Sequence, residues 1–316
     1  MNELRQFRVY KHKFSTPLVT SYGKWEAKES IVLRRKDNNG NVTFGEVSLT
    51  PHFFSYTIDD ILPNIFKWSK GESFINNELI SSAISCMESE IWNKEHEVNA
   101  DKIIVSAEIL NSEISGKTKC LKKKIGIKNV IQEIKDFKLI LRNTPKDTSF
   151  RLDANENLSI PHLLEWNQHF KNEERLEFIE QPLGRERYLE MIDLQDKLDI
   201  KLSLDESLVF KNDLTFFENQ DWRGFYTIKP SMFYDWDKIL TFVRDNPNRC
   251  IISTSFESPF GFEAVCRCAL FSKMVSGLDR NLFQNSEYEF LSHLKNPLFP
   301  GSVTIKMLDL LWGKLQ

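Results

Sequence analysis

Arg151-Leu-Asp-Ala-Asn155 reads as a short strand that stops on a carboxylate, and the same arrangement recurs on both sides of it. Before it stands Cys120-Leu-Lys-Lys-Lys-Ile-Gly126; after it come Phe178-Ile-Glu-Gln-Pro182, Leu204-Asp-Glu-Ser207 and Thr227-Ile-Lys-Pro230. Each apolar stretch ends on a charged residue, in turn Lys124, Asp153, Glu180, Asp205 and Lys229, spaced 24 to 29 residues apart. That interval holds one strand and one crossover helix, so the five residues should stand side by side at the same end of consecutive parallel strands. Right-handed crossovers repeated seven or eight times close most simply into a (β/α) barrel, whose chemistry sits at the carboxyl ends of its strands.

Working outward, strands are expected at 103–110, 120–126, 149–154, 176–179, 201–204, 224–228 and 249–254, with amphipathic helices near 130–137, 160–170, 187–198 and 236–244. No glycine-rich loop follows the first strand, so a dinucleotide-binding sheet has no support. Upstream, Ser30–Lys36 and Val42–Ser48 flank Asp37-Asn-Asn-Gly40, a hairpin signal, and helical patterns follow near 58–69 and 78–93. The 316 residues thus divide into an α+β capping domain (1–98), a (β/α)7β-like barrel (99–285), and a C-terminal segment (286–316) that returns to the cap, with Ser302–Ile305 strand-like.

Composition narrows the function classes. The net charge of −3 shows no basic excess, which argues against a dedicated nucleic-acid binder. No window approaches the ~18 consecutive apolar residues of a membrane span, and charges interrupt the N-terminus where a signal peptide needs an apolar core. The five cysteines show no zinc-site spacing and read as buried free thiols of a cytoplasmic protein.

Three carboxylates converging on one barrel mouth repel one another unless a cation joins them. An all-oxygen set with room for water and substrate suits Mg²⁺, with Mn²⁺ as substitute. Lys124 and Lys229 flank the trio and should face each other across a bound substrate. Period-2 alternation puts Lys122 inward with Lys124. A neighbouring ammonium and burial are expected to lower the lysine pKa toward a base's range. A carbanion next to a carboxylate, formed by proton loss, is the species such a site would stabilise.

These residues resemble the enolase superfamily, and within it the muconate-lactonising subgroup: a Lys-x-Lys on the second strand, Asp/Glu/Asp metal ligands and a lysine on the sixth strand. Gly45–Pro51, Arg151–Asn155, Ser253–Ser258 and Gly277–Asp279 extend the likeness over most of the chain. The resemblance implies Asp153, Glu180 and Asp205 as Mg²⁺ ligands, Lys124 as general base and Lys229 as the cation that stabilises an enediolate. It also implies a small-molecule carboxylate as substrate rather than nucleic acid or membrane. The expected activity is syn elimination of water, with racemase, dipeptide epimerase or cycloisomerase chemistry as alternatives, because all pass through the same enediolate. A non-catalytic barrel is the third reading, disfavoured by retention of all five central residues. Lys122 joins the substrate-binding candidates. Arg151 is equally a candidate for a second substrate carboxylate and for a structural ion pair. Ser253 and Ser255 are candidates through hydroxyls or backbone amides. Phe14–Gly23 is the candidate lid, hinged at Gly23. Glu206 is expected either to pair with a barrel lysine or to be a surface carboxylate. Only about ten residues separate the first two barrel strands, so that unit should lack a full helix.

Overall fold

The computed structural model describes residues 3–20, 23–51, 53–93, 106–110, 119–279 and 303–315. The chain opens with an antiparallel sheet of β1 (Leu4–Thr20), β2 (Gly23–Lys36) and β3 (Val42–Ser48), in that order. Asp37–Gly40 makes the β2–β3 turn: Gly40 adopts φ +85°, and Asp37 Oδ1 accepts from the N–H groups of Asn39 and Asn41, both at 2.8 Å. Helices α1 (Ile58–Ser69) and α2 (Glu78–Glu88) bury Ile61, Ile65, Leu79 and Ala83 against Ile31, Leu33 and Val47 of the sheet. α2 stops short of Asn93 because Ser89 turns extended and Glu90–Trp92 forms a separate 3-10 turn.

The second sheet is parallel and runs in sequence order through β4 (Glu108–Ile109), β5 (Cys120–Lys124), β6 (Ser149–Asp153), β7 (Leu176–Glu180), β8 (Leu202–Leu204), β9 (Phe225–Ile228) and β10 (Cys250–Ile252). Outside it lie α3 (Val130–Asn143), α4 (Ile160–Phe170), α5 (Tyr188–Leu194), α6 (Glu206–Lys211), α7 (Leu214–Asn219), α8 (Trp236–Asp245) and α9 (Pro259–Ala269). Ser276–Gly277 closes the barrel: Ser276 pairs with Ser106 and Gly277 with Ser253, both parallel. The fold class is therefore the (β/α) barrel with an α+β cap. Alternation along β6 shows how it is built. Phe150 points outward onto Phe137 of α3, centroids 5.4 Å apart, and Phe137 meets Trp166 of α4 at 5.9 Å. Arg151 and Asp153 take the opposite, inward side.

The chain end differs from expectation. Of the expected Ser302–Ile305 strand the described part is not one; Val303 and Thr304 lead into α10 (Ile305–Lys314), with the Thr304 hydroxyl accepting from the Met307 N–H at 3.2 Å. A side-chain cap outweighs the β-branched composition. α10 lies on the cap: Arg34 meets Asp309 at 2.7 Å, and Trp312 packs beside Phe44 of β3 at 6.3 Å.

The lid candidate is a ribbon rather than a loop. Phe14–Thr20 belongs to β1 and pairs with β2 through Leu18↔Trp25 and Thr20↔Gly23, so Gly23 sits within paired strands. The break in that pairing falls instead between Lys13 and Leu18. Residues 21–22, the 103–105 part of the expected first strand, the 111–118 connection and 286–302 lie outside the described residues. Among the described residues no helix is long and apolar enough to cross a membrane, and all five cysteines are buried and outside any disulfide.

Candidate active site

Register assembles the site. Lys124 of β5 pairs across with Asp153 of β6, and Asp153 with Glu180 of β7. Asp205 follows β8 directly, and its N–H donates to Gln181 Oε1 at 3.0 Å. Lys229 follows β9. The strand ends therefore bring Lys122, Lys124, Asp153, Glu180, Asp205 and Lys229 to one mouth.

The ammoniums lie on the carboxylates. Lys122 Nζ stands 2.9 Å from Asp153 Oδ2 and 2.8 Å from Glu180 Oε1, and Lys229 Nζ donates to both oxygens of Asp205. Among the described residues Lys124 has no carboxylate within ion-pair distance, although its charge acts on Asp153. The expectation of lowered lysine pKa values is reversed at two of the three lysines. Burial pulls Lys122 down, but Asp153, Glu180 and Asp205 together hold it above its ordinary value. Lys229 is likewise raised, by Asp205, Glu206 and Glu180 against burial. Glu180, buried, is pushed up to about 7 by desolvation, with Lys122 opposing.

Two further residues complete the mouth. Glu206 is buried, not a surface carboxylate: its Oε1 accepts from Asn155 Nδ2 at 3.2 Å, and its Oε2 has no hydrogen-bond partner. Lys229 reaches it through its field, as does Asp205, which with burial raises the Glu206 carboxyl well above its usual range. Phe53, from the loop after β3, lies with its ring centroid 5.0 Å from Lys229 Nζ and 5.6 Å from the Arg185 guanidinium carbon. Sequence reasoning missed Phe53, because nothing local marks a cap-loop aromatic as a barrel neighbour. It also missed Gln181. This buried residue holds a φ of +36°, accepts from the N–H of Asp205 and Ser207, and donates to Ser207 Oγ at 2.7 Å, tying the fourth and fifth strand ends together.

Three candidates point elsewhere. Arg151 is 1% exposed; its Nε donates to Glu177 Oε2 at 2.6 Å and its Nη1 to the Val275 carbonyl at 2.7 Å, while its guanidinium covers Phe178. It is the structural ion pair, because it stands one inward position below Asp153 and its head reaches toward the strand starts. Ser255 is buried, with both N–H and hydroxyl donated to Glu257, so neither faces the mouth. Ser253 uses its hydroxyl on the Gly277 carbonyl at 3.2 Å, across the barrel closure, and its N–H on the Ile228 carbonyl of the adjacent strand.

A divalent cation fits this donor set in chemistry. All the donors are oxygens, and Glu206 Oε2 is a buried acceptor that the protein leaves unfilled. Among the described residues no three carboxylates are already gathered at metal-holding spacing; the Lys122 ammonium lies between Asp153 and Glu180, and that of Lys229 lies on Asp205.

Comparison with known proteins bears on the fold. The chain is similar to o-succinylbenzoate synthase of Thermosynechococcus vestitus, 24% identical over 289 residues that cover 84% of this chain and 87% of the relative. The crystal structure of o-succinylbenzoate synthase from Thermosynechococcus elongatus BP-1, complexed with Mg in the active site, superposes with a TM-score of 0.75 at 19% identity, covering 99% of this chain and all of that one. These structures share the fold described above, a (β/α) barrel under an α+β cap. The substrate-liganded L-Ala-D/L-Glu epimerase of Bacillus subtilis also matches, with a TM-score of 0.73 at 14% identity over 88% of this chain and 89% of its own. No protein-family model matches the chain.

Proposed function

We propose that the protein is a Mg²⁺-dependent o-succinylbenzoate synthase, a carbon–oxygen lyase that dehydrates 2-succinyl-6-hydroxy-2,4-cyclohexadiene-1-carboxylate to 2-succinylbenzoate in menaquinone biosynthesis. The observation that carries this reading is the pair of ammoniums closing on Asp153, Glu180 and Asp205 from opposite sides, with Lys124 in register beside Asp153. The similarity to the Thermosynechococcus enzyme supports the choice of reaction.

In this reading Asp153, Glu180 and Asp205 hold Mg²⁺, or Mn²⁺, and the ion supplies charge stabilisation at the substrate carboxylate. Lys124 takes the proton α to that carboxylate. Lys229 stays cationic, as its raised pKa favours, and stabilises the enediolate. Lys124 then returns the proton to the departing hydroxyl, so water leaves from the face that lost the proton. Lys122 contributes a second positive charge beside the substrate carboxylate. Phe53 covers Lys229 from the cap side and excludes water there.

An N-acylamino acid racemase or another muconate-lactonising-type enzyme is the second reading, because the epimerase shares the fold. One observation counts against its dipeptide-epimerase form. Glu257, the acidic residue nearest the seventh strand end, is buried and takes its hydrogen bonds from Ser231, Thr254 and Ser255, so it does not offer itself to a substrate ammonium. Purified protein with Mg²⁺ should convert the cyclohexadiene carboxylate to its aromatic product, followed by the ultraviolet change. No turnover with Mg²⁺ or Mn²⁺ would sink the dehydratase assignment, and proton exchange on an N-acylamino acid would move it to the racemase.

A further inference from the structure

A second cluster of buried charge lies away from the mouth, on the seam between cap and barrel. Lys28 of β2 and Glu46 of β3 come from the cap, and Glu257 from the chain just past β10; all three are buried. Lys28 donates to the Leu49 carbonyl at 2.8 Å and to Thr50 Oγ1 at 2.6 Å. Glu46 accepts from the N–H of Ser258 at 2.9 Å and of Gly261 at 3.2 Å, and from the Ser258 hydroxyl. A cap carboxylate thus caps the first turn of barrel helix α9, where N–H groups lack helical partners. Gly261 permits this approach, since a Cβ there would stand 2.6 Å from Glu46 Oε2.

Glu257 gathers the other half. It accepts from Thr254 Oγ1 at 2.6 Å, from Ser255 N–H at 3.0 Å, from Ser255 Oγ at 2.5 Å and from the Ser231 hydroxyl. Ser255 Oγ lies 2.8 Å from Ser231 Oγ and 3.1 Å from Ser48 Oγ of β3. Thr50, which binds Lys28, also donates to the Ser255 carbonyl at 3.4 Å. Burial pushes the Glu257 carboxyl up, yet its donors outweigh that and hold it below the usual carboxylate range.

Ser231 gives this cluster its consequence, because it stands two residues from Lys229. The sixth strand ends at Ile228, whose carbonyl is held by the Ser253 N–H at 2.8 Å, and Pro230–Met232 is a single 3-10 turn. Lys229 is therefore suspended between a ladder bond on one side and the Ser231–Glu257 anchor on the other. Phe53, three residues past Thr50, reaches the same ammonium from the cap.

We infer that Glu257 is a positioning residue for Lys229: through Ser231 it fixes the turn that carries the ammonium, and through Ser255 and Ser48 it locks that turn to the cap. Its consequence for turnover rests on the proposed function; the placement of Lys229 does not.

The test uses full-length wild type, Glu257→Ala, Glu257→Gln and Ser231→Ala, each checked for folding by circular dichroism. Acetylation of lysines, followed by mass spectrometry, reads placement without turnover. Relative to exposed Lys119, Lys229 should label about tenfold faster in Glu257→Ala, with Lys122 changing less than about twofold and Ser231→Ala shifting in the same direction by less. Glu257→Gln keeps an acceptor oxygen and should recover part of the wild-type pattern. In turnover, kcat should fall about 10²-fold while KM stays within about twofold. Unchanged Lys229 labelling in folded Glu257→Ala, or an equal rise at Lys119, Lys122 and Lys229, would overturn the inference. If Glu257→Ala does not fold, Ser231→Ala decides by the same two readouts. A wild type without dehydratase turnover would remove the proposed function and leave the labelling result standing.

Discussion

At the barrel mouth, Asp153 and Glu180 share the ammonium of Lys122, and Asp205 is paired with that of Lys229. At the seam, Glu46 and Glu257 are buried as deeply but are held by hydroxyls and backbone N–H groups, with positive charge supplied by Lys28. The difference is one of exchangeability. An ammonium on a flexible stem can withdraw and let another cation or an anionic substrate take its place. Hydroxyls and amides fixed to strand ends and a helix start cannot. The mouth is therefore built to trade partners, and the seam to keep them.

The sharpest way to break that contrast is at the mouth. Lys124→Ala should lower kcat by about 10³-fold or more, the range of a lost general acid–base, with the thermal midpoint within a few degrees of wild type. Near-normal turnover in steady-state assays would remove Lys124 from the base role. At the seam the order inverts. Glu257→Ala strands the hydroxyls of Ser231, Thr254 and Ser255 and should cost about 3 kcal/mol in urea unfolding. A loss under about 1 kcal/mol would mean that these donors find other acceptors.

Metal should separate the regions next. Mg²⁺ at 100 times its dissociation constant should stabilise the protein by about 2.7 kcal/mol, read as a thermal shift that EDTA reverses. Asp205→Asn should lose that shift and Glu257→Gln should keep it. The smallest effect, about 1 kcal/mol, is a pH contrast within the seam. The Glu257 carboxyl is held below its unfolded value, so its stabilisation is complete above about pH 4.5 and fades as pH falls through the folded value. Glu46 is raised by desolvation, so the folded state takes up its proton first, and its ionised form costs stability at neutral pH. Glu257→Gln should thus lose more stability at pH 7 than at pH 4, and Glu46→Gln should not; parallel unfolding curves at both pH values check this.

How much of this was legible beforehand differs by residue. The five strand-end charges were, because the βα repeat carries side-chain direction and spacing together. Arg151 shares its inward side with Asp153, and one strand position separates mouth from interior; spacing alone left ligand and ion pair equally open. Ser255 follows a strand end, which by spacing alone suggests the mouth, yet its partners are Glu257, Ser231 and a serine 207 residues away. Phe53 reaches Lys229 only because the cap folds over the barrel. Long-range meetings of that kind leave no local pattern.

By itself the sequence determined the barrel, the hairpin cap and the order of charges around the mouth. These follow from periodicity, turn chemistry and spacing, which act over a few residues or one repeat. The tertiary structure decided which buried carboxylates face ammoniums and which face hydroxyls. It also decided that the cap supplies Glu46, Lys28, Ser48 and Phe53 to the barrel's frame. Those pairings cost desolvation that only packing between distant segments repays, so they exist only once the cap and barrel have closed on each other.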